Sequence, residues 1–272
     1  MTTSKSWQAR LELGFSQAGG RTVLAHRRHV GPLVVQRPFY PEGPICHVYL
    51  VHPPGGIVGG DALSLQVDVQ PQAHALLTTP AATRFYRAGP HPHATLSQHL
   101  HCRDGALEWL PQETIVFEGA RARTATRVEL AGEARFLGWE IACLGRPANG
   151  EGFASGELAQ DFSLYKDGTP LLLDRLRLAG GSAALHAAWG LGGCQAMGTL
   201  LMYPARDLDL ASLRTLASAD ARHAMSVVDG VLVCRAVAAQ AEALRLLFNA
   251  LWLNLRESLL GRAAVAPRIW AT

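Results

Sequence analysis

Leu63-Ser64-Leu65-Gln66-Val67-Asp68-Val69-Gln70 decides the fold class. Four apolar residues, Leu63, Leu65, Val67 and Val69, alternate with Ser64, Gln66, Asp68 and Gln70. A period of two puts the two sets on opposite faces of a pleated strand, so one face is buried and the other wet. Residues 124–130 and 135–144 alternate in the same way. Turns punctuate the runs at Gly89-Pro90, Arg103-Asp104-Gly105, Ala131-Gly132, Asn149-Gly150 and Lys166-Asp167-Gly168. Many short strands with frequent turns predict a mainly β body over residues 10–203, built as stacked sheets or as a coiled, β-helix-like solenoid. No repeat of fixed length is visible, so a regular β-helix with a sequence period is not indicated.

The pattern changes after Pro204. Asp207 or Asp209 can cap a helix running to about residue 224, with Leu210, Leu213 and Leu216 at helical spacing. Residues 227–233 read as two short strands about Asp229-Gly230. A second helix is predicted over about 239–260, with Leu244, Leu247, Phe248, Leu251, Leu255 and Leu259 as its apolar stripe and Gly261 as its stop. Trp252 falls beside that stripe and is a candidate contact for a partner. The tail Pro267-Arg268-Ile269-Trp270 is too short to fold alone, so Ile269 and Trp270 dock either on their own chain or on a partner. The expected organisation is one domain over residues 1–272: the β-rich body, then a part over 204–272 with about two helices and a short hairpin.

Composition narrows the function. Of the 272 residues 49% are apolar and 17% charged, so the surface is sparingly charged and partners are expected to cover some of it. A formal charge of +3, with no basic run interleaved with aromatics, gives no case for nucleic acid. The first ten residues lack an apolar h-region, and no run approaches the roughly 18 apolar residues of a membrane span. Cys46, Cys102, Cys143, Cys194 and Cys234 are scattered and odd in number. They form no CxxC and no disulfide framework, which fits a reduced, cytoplasmic protein.

Strand phase makes two acids unusual. Asp174 shares a face with Leu172, Leu176 and Leu178, while Arg175 and Arg177 point the other way. Glu140 shares a face with Phe136, Gly138, Ala142 and Leu144. A carboxylate on an apolar face is costly unless it is paired, hydrogen-bonded or bound to a cation. The candidates are therefore an internal structural partner or the lining of a polar passage. Glu108 and Glu113 flank a segment that Pro111 interrupts, which predicts an edge or a bulge. The pairs His91/His93 and His99/His101 could ligate a transition metal. No HExxH, GxSxG or phosphate-binding loop is present.

His52-Pro53-Pro54-Gly55-Gly56-Ile57-Val58-Gly59-Gly60-Asp61 reads as a rigid, tightly folded loop that presents one acid, Asp61. With it stand Thr78-Thr79-Pro80-Ala81-Ala82-Thr83-Arg84-Phe85-Tyr86-Arg87 and Leu107-Glu108-Trp109-Leu110-Pro111-Gln112-Glu113-Thr114-Ile115-Val116-Phe117. Gly138-Trp139-Glu140, Gly145-Arg146, Asp174-Arg175-Leu176, Leu259-Leu260-Gly261-Arg262 and Pro267-Arg268-Ile269-Trp270 complete the set. Together these segments resemble the urease accessory protein UreD (UreH) family from about residue 15 to the end. Ala81 stands where glycine is more usual in that family, and Ala263 where proline often follows the arginine.

The resemblance implies a non-catalytic scaffold in urease maturation. It implies the partners UreF, the GTPase UreG reached through UreF, and the urease apoprotein, with UreE as nickel donor to the complex. It also implies GTP-dependent assembly of the nickel centre and a β-rich fold with a small helical part. No tightly bound cofactor is expected, only transient Ni(II). Transit of an ion calls for weak oxygen ligands, because tight His/Cys chelation would trap it. Asp61, Glu140 and Asp174 are the candidates for such a passage. Two alternatives remain: a pure docking module without a metal role, and a β-rich metal-dependent hydrolase using His99 and His101.

Overall fold

The apolar strand faces close against one another as two stacked sheets in the computed structural model, which describes residues 6–216 and 220–271. The strands begin with β1 (Gln8–Ala18), β2 (Arg21–Val30), β3 (Val34–Phe39), β4 (Cys46–Val51), β5 (Ala62–Val69) and β6 (His74–Thr78). They continue with β7 (Thr83–Phe85), β8 (Ala94–Arg103), β9 (Ala106–Leu110), β10 (Thr114–Val116), β11 (Arg121–Ala131) and β12 (Arg135–Leu144). The last are β13 (Glu157–Lys166), β14 (Thr169–Ala179), β15 (Ala196–Tyr203), β16 (Ala221–Val228) and β17 (Val231–Ala238). The helices are α1 (Leu210–Thr215) and α2 (Ala241–Leu260).

One sheet has seven strands in the order β14-β13-β11-β8-β5-β1-β2. The other has ten: β16-β17-β15-β12-β9-β6-β4-β3, with β10 against β12 and β7 against β10. Between β4 and β13 the chain crosses back and forth, and its strands stack in parallel: β5, β8, β11 and β13 in one sheet, β4, β6, β9 and β12 in the other. This is the coiled, mainly β body expected. In the first sheet the rungs start at residues 62, 94, 121 and 157, so successive turns are 32, 27 and 36 residues long. Unequal rungs leave no fixed period, which is why no repeat is visible in the sequence.

Leu63, Leu65, Val67 and Val69 are all buried between the sheets. Each such side chain contributes about 1.5–3 kcal/mol by leaving water. The strand β12 is buried on both faces. Phe136, Ala142 and Leu144 face the other sheet, whereas Leu137, Trp139, Ile141 and Cys143 pack under α2. The helix α2 lies where its apolar stripe predicted, with Leu244, Leu247, Phe248, Leu251, Leu255 and Leu259 all buried. Gly261 ends it at φ 65°, a left-handed conformation that favours glycine.

Three expectations need correction. The break near Pro204 does not separate a helical part from the sheets, because β16 and β17 extend the ten-stranded sheet beyond β15. Asp209 caps α1 by accepting from the Ser212 backbone N–H at 3.1 Å, but the helix stops at Thr215. Residues 221–228 pair with β17 instead, and residues 217–219 lie outside the described ones. The Glu108 segment is no edge either. β9 sits between β6 and β12, and Pro111 falls just beyond its end.

Candidate functional site

Glu140 projects from β12 into the space between the sheets, on the face its strand phase predicted. Its carboxylate accepts hydrogen bonds from the Thr126 hydroxyl and from Gln160 Nε2, the latter at 2.7 Å. Two cavities, of about 340 and 450 Å³, share Glu140 and Gln160 as common wall. The surface that Glu140 retains therefore faces cavity space in the protein interior. Burial raises its carboxyl pKa; the bonds from Thr126 and Gln160 oppose the rise, and the nearby Asp174 charge adds to it.

The first cavity is lined by His52, Gln98, Trp109 and Thr124 among others. Two of these carry spare polarity: Trp109 Nε1 and Thr124 Oγ1 are buried without a hydrogen-bond partner among the described residues. A cavity that presents unspent polar groups suits water or a hydrated ion. Burial lowers the pKa of His52, while the charge of Asp61 opposes that shift. His52 was quoted in the loop motif, but nothing in the sequence marked its imidazole as a cavity wall.

The second cavity takes in Asp174, Thr199, Arg222 and Arg235. Asp174 leans inward from β14 with Leu172 and Leu176, again as its phase predicted. It does not stand alone, for Arg235 on β17 donates to it at 2.9 Å. The pair is partly exposed, at 32% for Asp174 and 58% for Arg235, so water weakens it. Glu140 and Asp174 are thus brought to one cavity.

Asp61 is not. It is buried and lines neither cavity. Its carboxylate accepts from the backbone N–H groups of Trp7 at 2.7 Å and of Val58 at 3.0 Å. That ties the glycine–proline loop to the residue just before β1, a structural duty where a passage lining was expected. The loop is tight for a steric reason. A Cβ on Gly56 would lie 2.1 Å from the Tyr86 ring, so no side chain fits there.

The histidine pairs form no metal centre. His99 is exposed on β8, and His101 Nδ1 lies 3.3 Å from Asp68. Among the described residues, no three His, Cys, Asp or Glu side chains come together to hold a metal ion. Thiolate is withheld as well. Burial pushes Cys102 and Cys234 up to about 12, and Cys46 and Cys143 up to about 11, so these remain thiols at neutral pH. The donors that the two cavities offer a cation are mostly oxygens, from carboxylates, hydroxyls and amides, with one imidazole in each, His52 and His223, and the Met197 thioether in the second.

The tryptophans expected at a partner contact turn inward. Trp252 has no exposed surface and donates its indole N–H to Glu108 at 2.6 Å. Trp270 is half-buried, donates to Thr78 Oγ1 at 2.9 Å and packs against Trp139 and Trp252. The tail thus docks on its own chain through Trp270, and Ile269 beside it is half-buried. Under α2 lies a cluster that sequence reasoning missed. Arg256, fully buried, bonds both Glu108 and Glu42, while His74 and His47 bond these two acids in turn. Burial pushes Glu108 up, but His74 and Arg256 outweigh it and hold the carboxyl at about 2.

Comparison with known proteins agrees with the motifs. A family model described as UreD urease accessory protein matches residues 8–271. The urease accessory protein UreD of Azoarcus sp. (strain BH72) is 48% identical over 271 residues, covering 98% of this chain and 94% of the relative. The protein of the same name from Klebsiella aerogenes is 43% identical over 271 residues, covering 98% of each. That from Citrobacter koseri is 43% identical over 277 residues, covering all of this chain and 94% of the relative.

Proposed function

The chain belongs to the UreD urease accessory protein family, and from that premise we propose that it is a non-catalytic scaffold of urease maturation whose interior passes nickel(II) towards the urease site. Its partners in this reading are UreF, the GTPase UreG reached through UreF, and the urease apoprotein, with UreE supplying nickel to the complex in the cytoplasm. Nickel is cargo here, so the chain needs weak ligands that release it.

One observation carries the passage: Glu140 and Gln160 are wall to both cavities. An ion moving from one cavity to the other passes between them. Oxygen donors from Glu140, Thr124, Gln98 and Gln160 can replace part of a hydration shell without the grip of thiolate or several imidazoles. The raised Glu140 pKa fits a carboxyl that a passing cation ionises and then leaves.

The test replaces Glu140 and Asp174 with Ala, singly and together, in cells that co-express urease and its accessory proteins. Expected is urease with reduced nickel content from an accessory complex that still assembles. Normal nickel in urease matured by the double variant overturns the passage.

A second reading has its own support. Asp61 is held by backbone amides and Asp174 by Arg235, which is how purely structural acids behave. In that reading the chain only docks the other subunits. Loss of complex assembly in the same variants, rather than loss of nickel from an intact complex, selects it.

A further inference from the structure

Glu140, Thr199 and Arg235 form one row across the ten-stranded sheet. Thr199 on β15 is directly opposite both Glu140 on β12 and Arg235 on β17, so neighbouring Cβ atoms in the row stand about 4.5–5.5 Å apart. The row faces the other sheet. Met197 and Leu201 flank Thr199 in the core between the sheets, and Val233 and Val237 flank Arg235 there. From the seven-stranded sheet Asp174 leans in to meet the row. The Arg235 guanidinium reaches it across the gap between the sheets and donates at 2.9 Å. All four residues line the second cavity. The Asp174 charge is felt at Glu140, where it adds to the rise in that carboxyl's pKa. The two acids thus lie within electrostatic reach of each other, and a guanidinium is seated on one of them.

The wall of this cavity matches its acids with cations of its own: Glu140 and Asp174 against Arg222 and Arg235. The two arginines are placed differently. Arg222 is engaged with the segment before β15, donating to Leu191 O at 3.3 Å and to Cys194 Sγ at 3.4 Å. Arg235 is engaged with Asp174. That pair is partly exposed, so it is weak and exchanges readily. A guanidinium is charged at every physiological pH and binds a carboxylate through oriented N–H groups. While it does so, the oxygen it covers is not free for a metal. An arriving dication also meets the positive charge of the guanidinium. Both effects lower the affinity of Asp174 for a metal ion.

We propose that Arg235 is a built-in stand-in for the metal: it occupies Asp174 while no ion is present, gives way to nickel(II), and returns to displace it, so that the ion is held weakly enough to move on. The proposal rests on the passage reading for the identity of the cargo. Arg235 is a positioning residue here and not a ligand, because a guanidinium has no lone pair to offer a cation. Its removal therefore acts with the opposite sign to the loss of a ligand. Nickel binds more tightly without Arg235 and leaves more slowly.

The experiment uses the purified full-length chain with a nickel(II) salt alone as the probe, and binding is followed by titration calorimetry. Arg235→Gln removes the charge, Arg235→Lys keeps it, and Arg235→Gln combined with Asp174→Asn removes both halves of the pair. Arg235 is exposed, so each variant should keep the thermal midpoint of the parent. Expected is nickel affinity raised about tenfold or more by Arg235→Gln. Arg235→Lys should stay near the parent, and the double variant should fall back to it. Unchanged or weaker affinity in Arg235→Gln overturns the proposal. So does a tightening that survives in the double variant, since it would not run through Asp174. A lower thermal midpoint without tighter binding marks a structural brace and overturns it too. The two readings fail separately. Tighter binding by Arg235→Gln, with urease loaded at the parent rate, keeps the stand-in and removes the passage. Loss of delivery in Glu140→Ala, with Arg235→Gln binding no tighter, does the reverse.

Discussion

Arg256 of α2 and Glu108 of β9 stand 148 positions apart in the chain, yet they meet at 3.0 Å with no exposed side-chain surface on either. Around them, Glu42 accepts from the same guanidinium at 2.7 and 2.8 Å, and Trp252 donates to Glu108 at 2.6 Å. Breaking one partner of such a cluster strands a charge in a dry interior. Glu108→Ala should therefore destabilise the fold by about 3–5 kcal/mol. Chemical denaturation reads this directly, and a change below about 1 kcal/mol would mean the helix is held by its apolar stripe alone.

The same carboxylate sets a pH dependence. Its ordinary pKa is 4.5, and in the fold it is held at about 2. Below pH 4.5 the unfolded chain takes up a proton that the folded chain refuses, so stability falls as the pH drops towards 2. The loss is on the order of 3 kcal/mol for Glu108. Glu42 is shifted in the same direction by His47 and Arg256 against its burial and adds to the slope. Acid titration of unfolding should be visibly shallower in Glu108→Gln than in the parent.

Glu140 runs the other way. Its folded carboxyl keeps a proton above the ordinary value, so its contribution to stability falls as the pH rises through that range. Glu140→Gln removes this cost, because the neutral amide still accepts from Thr126. The variant should melt higher than the parent at neutral pH while delivering less nickel. An acid kept only for structure would show the reverse, a lower melting temperature and normal delivery.

Asp61 separates from the other two acids. Asp61→Ala leaves the Trp7 and Val58 amides without their acceptor, at a cost of about 1–3 kcal/mol. Soluble yield and melting temperature should fall, yet each correctly folded molecule should still support delivery. Nickel per soluble complex is the measurement that distinguishes this from a ligand's role.

Much of this was legible in the sequence, and the reasons are particular. Leu63 to Val69 announced a buried strand face because a period of two survives any tertiary arrangement. Glu140 and Asp174 were visible as acids among apolar neighbours in the same phase. The helix α2 was readable because its stripe runs from Leu244 to Leu259, close to a glycine stop at Gly261. The strands on either side of Asp229-Gly230 were readable from that turn, whereas residues 221–224 were misread as helix because their strand is made by pairing with β17, and local spacing does not show a partner. The coil was expected from its many short strands, but it leaves no repeat in the sequence because its rungs differ in length. The Glu108 cluster escaped because Arg256 and Glu42 lie 148 and 214 positions away from their partners. Asp61 was mistaken for a lining because a loop acid bound by backbone amides looks, in one dimension, like one that waits for a ligand.

The passage is tested most directly by single-turnover transfer. A purified accessory complex containing this chain, loaded with nickel, is mixed with urease apoprotein, and metal bound to urease is followed in time. Glu140→Leu in this chain keeps much of the volume at the wall between the cavities but removes the carboxylate. The account predicts nickel arriving in urease markedly more slowly than with the parent, from a complex of unchanged composition. Arrival at the parent rate would contradict it.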